Sequence, residues 1–471
     1  MWSQLPPELK LSVADALLPF DAVKALASID RATYNACLPA TFRNVRLFNY
    51  KGLQGFLQNV PREYSRYIHR LDLCTEDDAE SVQARTETII SLLTSCICLK
   101  ELTLRLDGSL HHSLAACFQT LTDVSRLTIT NCRDENERPL SERFVVSLCA
   151  SLPSLYHLSL DRITRSLLHA PELHGKYPYI PLVCGDDNVP SHPELGSALS
   201  LPSLLSIPTL KSLCIRDTHL GDPLWETTPI KCHLQKLDLG AYSGCNEDFN
   251  RECTERIMSA LSRDRTVNSL ASLSLTSSLT SIPPPSLATK PESDTPRYHL
   301  PSLRKLQLSP FFPVDSVVDT MTHLAGSPIE RVEMQCYEDD VVDVCERLEE
   351  FIALRMEKLP RQSRNAFLRG NSSDDNDQGF FDSLQHIEVV SVRDHDADSF
   401  VGPEDEEERV AAIKKLQRTC REAKLLSSIS KARFSREIVG LDLEFLDQRE
   451  EAYVLTSFGR WADGRGRSMT I

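Results

Sequence analysis

The sequence predicts an α/β fold in which short parallel strands alternate with helices along a repeating array. Three observations lead to this prediction. A pattern with apolar residues at its first, fourth and sixth positions recurs along most of the 471 residues. The stretches between its copies carry apolar residues at helical spacing, as in Phe144-Val-Val-x-Leu148. The first 40 or so residues lack the pattern and have helical periodicity instead.

The repeat has six clear copies and six weaker ones. The clear copies start at Leu99, Leu155, Leu210, Leu234, Leu270 and Leu303, and the weaker ones at Phe42, Ile68, Val124, Ile329, Leu384 and Ile438. The shorter steps between starts are close to the roughly 20–29 residues of leucine-rich repeats, which the pattern resembles. Because one unit buries its apolar side only against its neighbours, the resemblance implies a solenoid over residues 42–458, with parallel strands on the concave face and helices on the convex face.

Four segments interrupt the repeat and are predicted to be inserted loops, near residues 164–205, 276–300, 361–383 and 394–410. Prolines are frequent in the first and do not fit a central strand. The second is rich in Ser, Thr and Pro, and the other two are polar or acidic, so all four are predicted to be mobile. Residues 459–471 are predicted to form a C-terminal tail.

Residues 1–41 are predicted to form a small all-α domain. A proline in the first turn followed by Glu8 starts a helix well, because the first N–H groups have no partner and the dipole favours an acid there. Leu9, Val13, Ala16 and Leu17 then fall on one helical face.

Two more short helices are expected in this domain. Pro19 is predicted to end the first helix and Asp21 to cap the second, while a third runs from Asp30 to Cys37 and is stopped by Pro39. A core of this size is predicted to need the adjoining repeats or a partner for stability.

At these positions the chain resembles an F-box, a family that opens with Leu-Pro-x-Glu-Leu and in many fungal members leads directly into leucine-rich repeats. The matching positions are Leu5, Pro6, Glu8, Leu9, Val13, Leu17, Asp21, Val23, Leu26 and Ile29. The chain departs from the family at Ala32, near the place where a tryptophan is often found, and at Ala22, where a larger residue is common.

The resemblance implies a role as the substrate-recognition subunit of a cullin-RING ubiquitin ligase. The F-box would dock on a Skp-family adaptor, and through it on a cullin, by an apolar helix-in-groove contact. The residues implied in that contact are Leu5, Pro6, Leu9, Val13, Leu17, Val23 and Leu26. Two alternatives stay open: the same residues pack against the first repeat and close the end of the solenoid, or the protein is a scaffold or inhibitor not linked to ubiquitination.

The third, fifth and seventh positions of each copy are predicted to face outward from the strands and to bind an unidentified target protein. The basic candidates are Arg70, Arg105, Arg126, His157, Arg216, Lys236, Lys305 and Arg331, whereas acidic residues such as Glu388, Asp442 and Glu444 dominate the C-terminal copies. This distribution predicts a target with a complementary charge gradient. The alternative is that each is simply a solvated side chain.

Several classes of function are not expected. The net charge of −15 argues against a nucleic-acid partner, and no apolar run reaches the roughly 20 residues of a membrane span. The 15 cysteines lack a CxxC pair, and the start of the chain lacks a secretory signal, so reduced thiols in the cytoplasm or nucleus are expected. No catalytic motif or metal-ligand spacing is present, which predicts a non-enzymatic protein without cofactor or metal, monomeric outside its complex.

Overall fold

The computed structural model describes residues 5–17, 23–76, 81–177, 179–263, 269–279, 298–366, 381–393 and 403–433. Within these ranges the chain is an α/β protein with parallel strands, and it divides into two compact units, the first ending at Leu204 and the second beginning at Leu205. The predicted domain boundary between residues 41 and 42 does not coincide with this division, because the N-terminal helices share a unit with the first strands.

The first unit begins with three helices and continues with strands separated by helices. Its helices are α1 (Pro7–Leu17), α2 (Val23–Ala27), α3 (Arg31–Thr41), α4 (Tyr50–Asn59), α5 (Val82–Leu93), α6 (Leu114–Phe118) and α7 (Glu142–Ala150). Its strands are β1 (Asn44–Leu47), β2 (Arg70–Cys74), β3 (Glu101–Leu106), β4 (Arg126–Asn131) and β5 (His157–Asp161), paired in parallel in that order.

The second unit has strands β6 to β12, paired in parallel in sequence order. They are β6 (Ser212–Arg216), β7 (Lys236–Leu239), β8 (Ser272–Leu275), β9 (Lys305–Leu308), β10 (Arg331–Tyr337), β11 (His386–Arg393) and β12 (Leu426–Arg433). Its helices are α8 (Glu247–Arg263), α9 (Val317–His323), α10 (Val341–Ala366) and α11 (Pro403–Glu422). Short 3₁₀ helices lie at Arg62–Tyr67, Asp186–Asn188, Leu201–Ser206, Pro223–Glu226 and Val314–Ser316.

Strands β1 to β11 each begin two residues after one of the predicted repeat starts, from Phe42 to Leu384. The first, fourth and sixth residues of these eleven copies are buried, none of them more than 7% exposed. The alternation of side chains along a strand explains this burial, because the fourth and sixth positions share the inward face. The pattern that predicted the strands is therefore also the pattern that forms their core.

One backbone contact fixes the register between neighbouring strands. Between consecutive copies of the same unit, as far as the copy that starts at Leu384, the carbonyl of the second residue accepts two hydrogen bonds, from the N–H groups of the second and third residues of the next copy. The carbonyl of Arg43, for example, accepts from His69 at 2.8 Å and Arg70 at 3.0 Å, and that of Glu330 accepts from Gln385 at 2.9 Å and His386 at 3.0 Å. Within each unit the strand starts therefore align residue by residue.

The last strand was not predicted. Strand β12 begins at Leu426, and the residues at its pattern positions include Lys424 and Ser427 in place of apolar side chains. The copy predicted to start at Ile438, with Asp442 and Glu444, lies outside the described residues, as does the predicted tail at 459–471.

The predicted loop at 164–205 is held to helix α7 by buried polar side chains. The carboxylate of Glu142 accepts hydrogen bonds from the N–H of Ser166 and from Nδ1 of His169, both at 2.9 Å. The carboxylate of Asp186 accepts from the hydroxyls of Ser141 at 2.6 Å and Ser166 at 2.7 Å. Because Glu142 and Asp186 are buried, this part of the chain is packed against the repeat, which corrects the expectation of a mobile loop.

Two other predicted loops are partly helical. Helix α10 continues to Ala366, into the segment predicted at 361–383, and helix α11 begins at Pro403, within the segment predicted at 394–410. A proline at the first position and acidic residues after it favour a helix start, a signal that the acidic composition of residues 394–410 concealed. Most of the predicted loop at 276–300 lies outside the described residues.

The N-terminal helices follow the prediction with one correction. The side chain of Asp30 accepts a hydrogen bond from the N–H of Thr33 at 2.7 Å and so caps α3, which lowers the pKa of Asp30. Pro39 does not stop α3, because the helix continues for two residues and ends at Thr41. Pro19 and Asp21 lie outside the described residues, among which no helix is both long and apolar enough to cross a membrane.

Candidate functional site

Helix α1 has two apolar faces. Leu11, Ala14 and Leu17 face a small core that also contains Val23 of α2 and Cys37 and Ala40 of α3. On the other side, Leu9 is 52% exposed and Val13 38% exposed, with Pro6 and Ala16 also exposed. The spacing of residues 6, 9, 13 and 16 places them along one stripe of the helix. This stripe of four residues is called the α1 outer face below.

The seven residues implied in adaptor binding therefore lie in different environments. Pro6, Leu9 and Val13 belong to the α1 outer face, and Leu5 is half-buried just before the helix. Val23 is almost fully buried in the small core, and Leu17 and Leu26 pack partly against it. The structure thus brings three of the seven together on an exposed surface and uses three others to hold the helices together.

Ile29, a further position of the F-box resemblance, is 63% exposed in the turn between α2 and α3. Phe48, directly after β1, is 52% exposed and was not singled out from the sequence. An isolated aromatic residue after a strand carries no periodic signal, so only the structure reveals its exposure. Large exposed apolar side chains are thus frequent near the N-terminal helices.

In the first unit, the predicted basic candidates Arg70 and Arg105 are paired with acids on neighbouring strands. Arg70 donates from Nε to the carboxylate of Glu101 at 2.6 Å, directly across the β2–β3 pair. Arg105 makes two hydrogen bonds to Asp72, at 2.7 and 3.2 Å. Such two-point contacts between guanidinium and carboxylate are geometrically specific. Their charges are largely compensated within the sheet.

Arg126 and His157 lie next along the same register. Both are half-buried. Arg126 lies opposite Glu101 of β3 on one side and opposite His157 of β5 on the other. The ring centroid of His157 lies 4.7 Å from that of Tyr156. Around them the outward positions hold the small polar residues Thr128 and Ser159. This part of the face is polar without a dominant charge.

The second unit shows the same pairing of opposite charges. Arg216 donates to Asp238 at 2.6 Å and Lys305 to Glu333 at 2.7 Å, and Arg331 pairs with Glu388. Lys236 is exposed at the start of β7. The outward face is therefore not a continuous basic surface, because most of these basic side chains are paired with carboxylates.

Ion pairing shifts the pKa values of Glu333 and Arg216 in the direction of their charged forms. Burial raises the pKa of Glu333, but the hydrogen bond and charge of Lys305 outweigh it, so that the pKa is lowered overall. Burial likewise lowers the pKa of Arg216, but the charges and hydrogen bonds of Asp238 and Cys214 together more than reverse the effect, so that the pKa is raised overall. Both groups are therefore fixed as ions within the sheet face.

The cysteines behave mostly as buried apolar residues. Burial raises the pKa of the Cys96 and Cys336 thiols to about 12, which keeps them protonated. The thiols of Cys74 and Cys132 differ, because a hydrogen bond between them lowers the pKa of Cys74 to about 7 and raises that of Cys132. Sequence spacing did not predict this pair, since the two residues follow different strands.

The side chains that could ligate a metal ion are dispersed in the part of the chain that the structure describes. There, no three His, Cys, Asp or Glu side chains converge in a way that would hold a metal ion. His111 and His112 lie side by side, with ring centroids 4.1 Å apart, and Nδ1 of His111 forms a hydrogen bond with the Ser113 hydroxyl at 2.9 Å. His395 lies outside the described residues.

Comparison with known proteins adds no family assignment. No family model matches the chain, and none of the curated proteins is significantly similar to it.

Proposed function

We propose that this protein is the substrate-recognition subunit of a cullin-RING ubiquitin ligase. In this proposal α1 to α3 act as an F-box that docks on a Skp-family adaptor, and β1 to β12 with their helices act as leucine-rich repeats that bind a target protein. The chain itself is not catalytic, because a separate subunit transfers ubiquitin. It works in the cytoplasm or the nucleus, where its thiols stay reduced.

The observation that carries the proposal is the α1 outer face. Leu9 and Val13 are exposed to solvent, whereas Leu11 and Ala14 of the same helix face the small core. Burial of one such side chain stabilises a complex by about 1.5–3 kcal/mol, which is the usual source of affinity when an apolar helix face enters a groove. An adaptor groove would cover this stripe.

The small core supports the same interpretation. It is formed by Ala14, Val23, Cys37 and Ala40, with partly buried neighbours such as Leu11. Side chains of this size bury little apolar area, so three short helices gain limited stability from packing on one another. Docking of the α1 outer face on a partner would add the missing apolar contacts.

The strand repeats support the target-binding half of the proposal. Their inward positions are filled by buried apolar residues, whereas outward positions such as Arg70, Arg105 and Lys305 carry polar or charged side chains at regular spacing. A rigid face with fixed ion pairs can select a partner by matching its charges.

Co-purification with a Skp-family adaptor tests the proposal. We expect the wild-type chain to retain the adaptor and Leu9→Asp/Val13→Asp to lose it, because two carboxylates would be transferred from water into an apolar groove. Both positions are exposed, so the double variant is expected to fold, which circular dichroism would check.

Ile97→Asp is a matched control. Ile97 is also a large exposed apolar residue of the first unit, at 70% exposure, but it lies between α5 and β3 and away from the N-terminal helices. This variant should retain the adaptor. A wild-type chain that fails to bring down the adaptor would leave the scaffold or inhibitor interpretation as the better one.

A further inference from the structure

Two aromatic side chains, one exposed and one half-buried, form a pair on the second unit at the C-terminal ends of β9 and β10. Phe311 is 62% exposed, and its ring meets that of Tyr337 edge to face, with centroids 5.6 Å apart. Tyr337 is the last residue of β10 and lies opposite Val392 of β11 in register. Neither aromatic residue was singled out from the sequence as a binding residue.

An acidic turn follows this pair directly. The N–H of Asp340 donates to the carbonyl of Tyr337 at 3.1 Å, so that Glu338 and Asp339 lie within a tight turn beside the rings. Arg409 of α11 contacts Asp339 at 2.7 Å and Glu338 at 3.7 Å. Asp340, together with Asp343 in the first turn of α10, adds two more carboxylates.

The carboxylates of this turn repel one another. Burial raises the pKa of Asp340, and the charges of Asp339 and Asp343 raise it further. The side chain of Asp339 is 77% exposed, so its charge is accessible from solvent. Arg409 relieves part of this repulsion, and a further cation beside the turn would relieve more of it while lying close to the exposed ring of Phe311.

We infer that Phe311, Tyr337 and the turn Glu338–Asp340 form the docking surface for an arginine- or lysine-rich segment of the target protein. A cation of the segment lies over the aromatic rings and pairs with the carboxylates of the turn. The charge of the surface selects this occupant, since an acidic segment would be repelled. The inference rests on the proposed target-binding function and names the chemical class of the target.

A direct binding experiment tests the inference with the full chain. The probe is a short fluorescein-labelled peptide of alternating arginine and glycine, followed by fluorescence anisotropy, with a matched peptide that has glutamate in place of arginine. We expect the arginine peptide to bind and the glutamate peptide not to bind. Equal binding of the two peptides would overturn the inference.

Substitutions then locate the site. Phe311→Ala/Tyr337→Ala should raise the Kd for the arginine peptide by about tenfold, through loss of both rings. Asp339→Asn/Asp340→Asn should weaken binding about as much, and most strongly at low salt. Phe311→Ala alone, at an exposed position, should weaken binding severalfold and keeps the test valid if loss of Tyr337 disturbs the fold.

Tyr177→Ala/Tyr179→Ala is the matched control. These two tyrosines form another exposed edge-to-face pair, with centroids 6.0 Å apart, in the first unit and without the acidic turn. The control should bind like the wild type. A control that loses as much affinity as Phe311→Ala/Tyr337→Ala, or aromatic variants that lose none, would overturn the inference.

The same preparation separates this inference from the proposed function. Adaptor retention depends on Leu9 and Val13, whereas peptide binding depends on residues of the second unit. A chain that binds the arginine peptide but not the adaptor would refute the ligase proposal and retain the docking surface. The opposite result would refute the docking surface alone.

Discussion

The N-terminal helices and the strand repeats divide their apolar residues between core and solvent in different ways. In α1 to α3 the buried residues are mostly small, such as Ala14 and Ala40, while Leu9, Val13 and Ile29 remain exposed. In the repeats the large aliphatic residues are buried, and polar residues occupy the outward face. The repeats are therefore stabilised by burial of large aliphatic side chains, whereas the helices bury mostly small residues and leave several large apolar side chains exposed.

The largest effect is expected in the core of the repeats. Leu104→Ala removes a fully buried side chain from β3 and should lower the free energy of unfolding of the first unit by about 2–5 kcal/mol. Thermal and urea unfolding, with hydrogen exchange of the β3 amides, would measure it. A loss below about 1 kcal/mol would mean that the repeat core relaxes around the cavity, and the contrast with the helices would weaken.

An intermediate effect is expected at an ion pair on the outward face of the repeats. Lys305→Met removes the partner of Glu333, which is nearly buried, and should cost about 1 kcal/mol at neutral pH, since the exposure of Lys305 screens the pair.

The pH dependence of this effect has a definite sign. The pKa of Glu333 is below its ordinary value of 4.5, so the pair stabilises the fold above that pH and its contribution is lost as the pH falls further. The difference in unfolding free energy between wild type and Lys305→Met should shrink on acidification. A difference that grows at low pH would contradict this assignment.

The smallest effect on stability is expected on the α1 outer face. Leu9→Ser/Val13→Ser should change the free energy of unfolding by no more than about 0.5 kcal/mol, because both side chains already face water. Thermal unfolding of the isolated chain would show it. A large loss would mean that these two side chains stabilise the folded protein itself. It would contradict the difference between the helices and the repeats.

The periodic part of the fold was predictable from the sequence. A repeat start at Leu99 or Leu303 predicts an inward fourth and sixth position, and in both copies these residues are buried. Strand β12 was missed because Lys424 and Ser427 remove the apolar pattern, although its backbone still pairs with β11. Main-chain hydrogen bonds therefore extend the sheet to a strand that the pattern of apolar side chains does not predict.

The polar contacts were less predictable, for two different reasons. The pairing of Ser141 with Asp186 joins residues far apart in a segment without periodicity, so no local pattern indicates it. The ion pair of Arg70 with Glu101 could have been predicted, because aligned strand starts place these positions side by side. Sequence spacing placed Leu9, Val13, Ala16 and Leu17 on one face of α1, but in the structure Leu17 packs against the small core while the other three are exposed.

Within each unit, the carbonyl that accepts two hydrogen bonds from the next strand start aligns neighbouring strands whatever the length of chain between them. Strands β8 and β9 start at Ser272 and Lys305, and β10 and β11 start much farther apart, at Arg331 and His386, yet both pairs are in direct register. An affinity tag or a fluorescent reporter domain inserted between α10 and β11 would lengthen the covalent path without displacing a strand. The protein is accordingly expected to accept an inserted domain at this position without a change in the register of its strands.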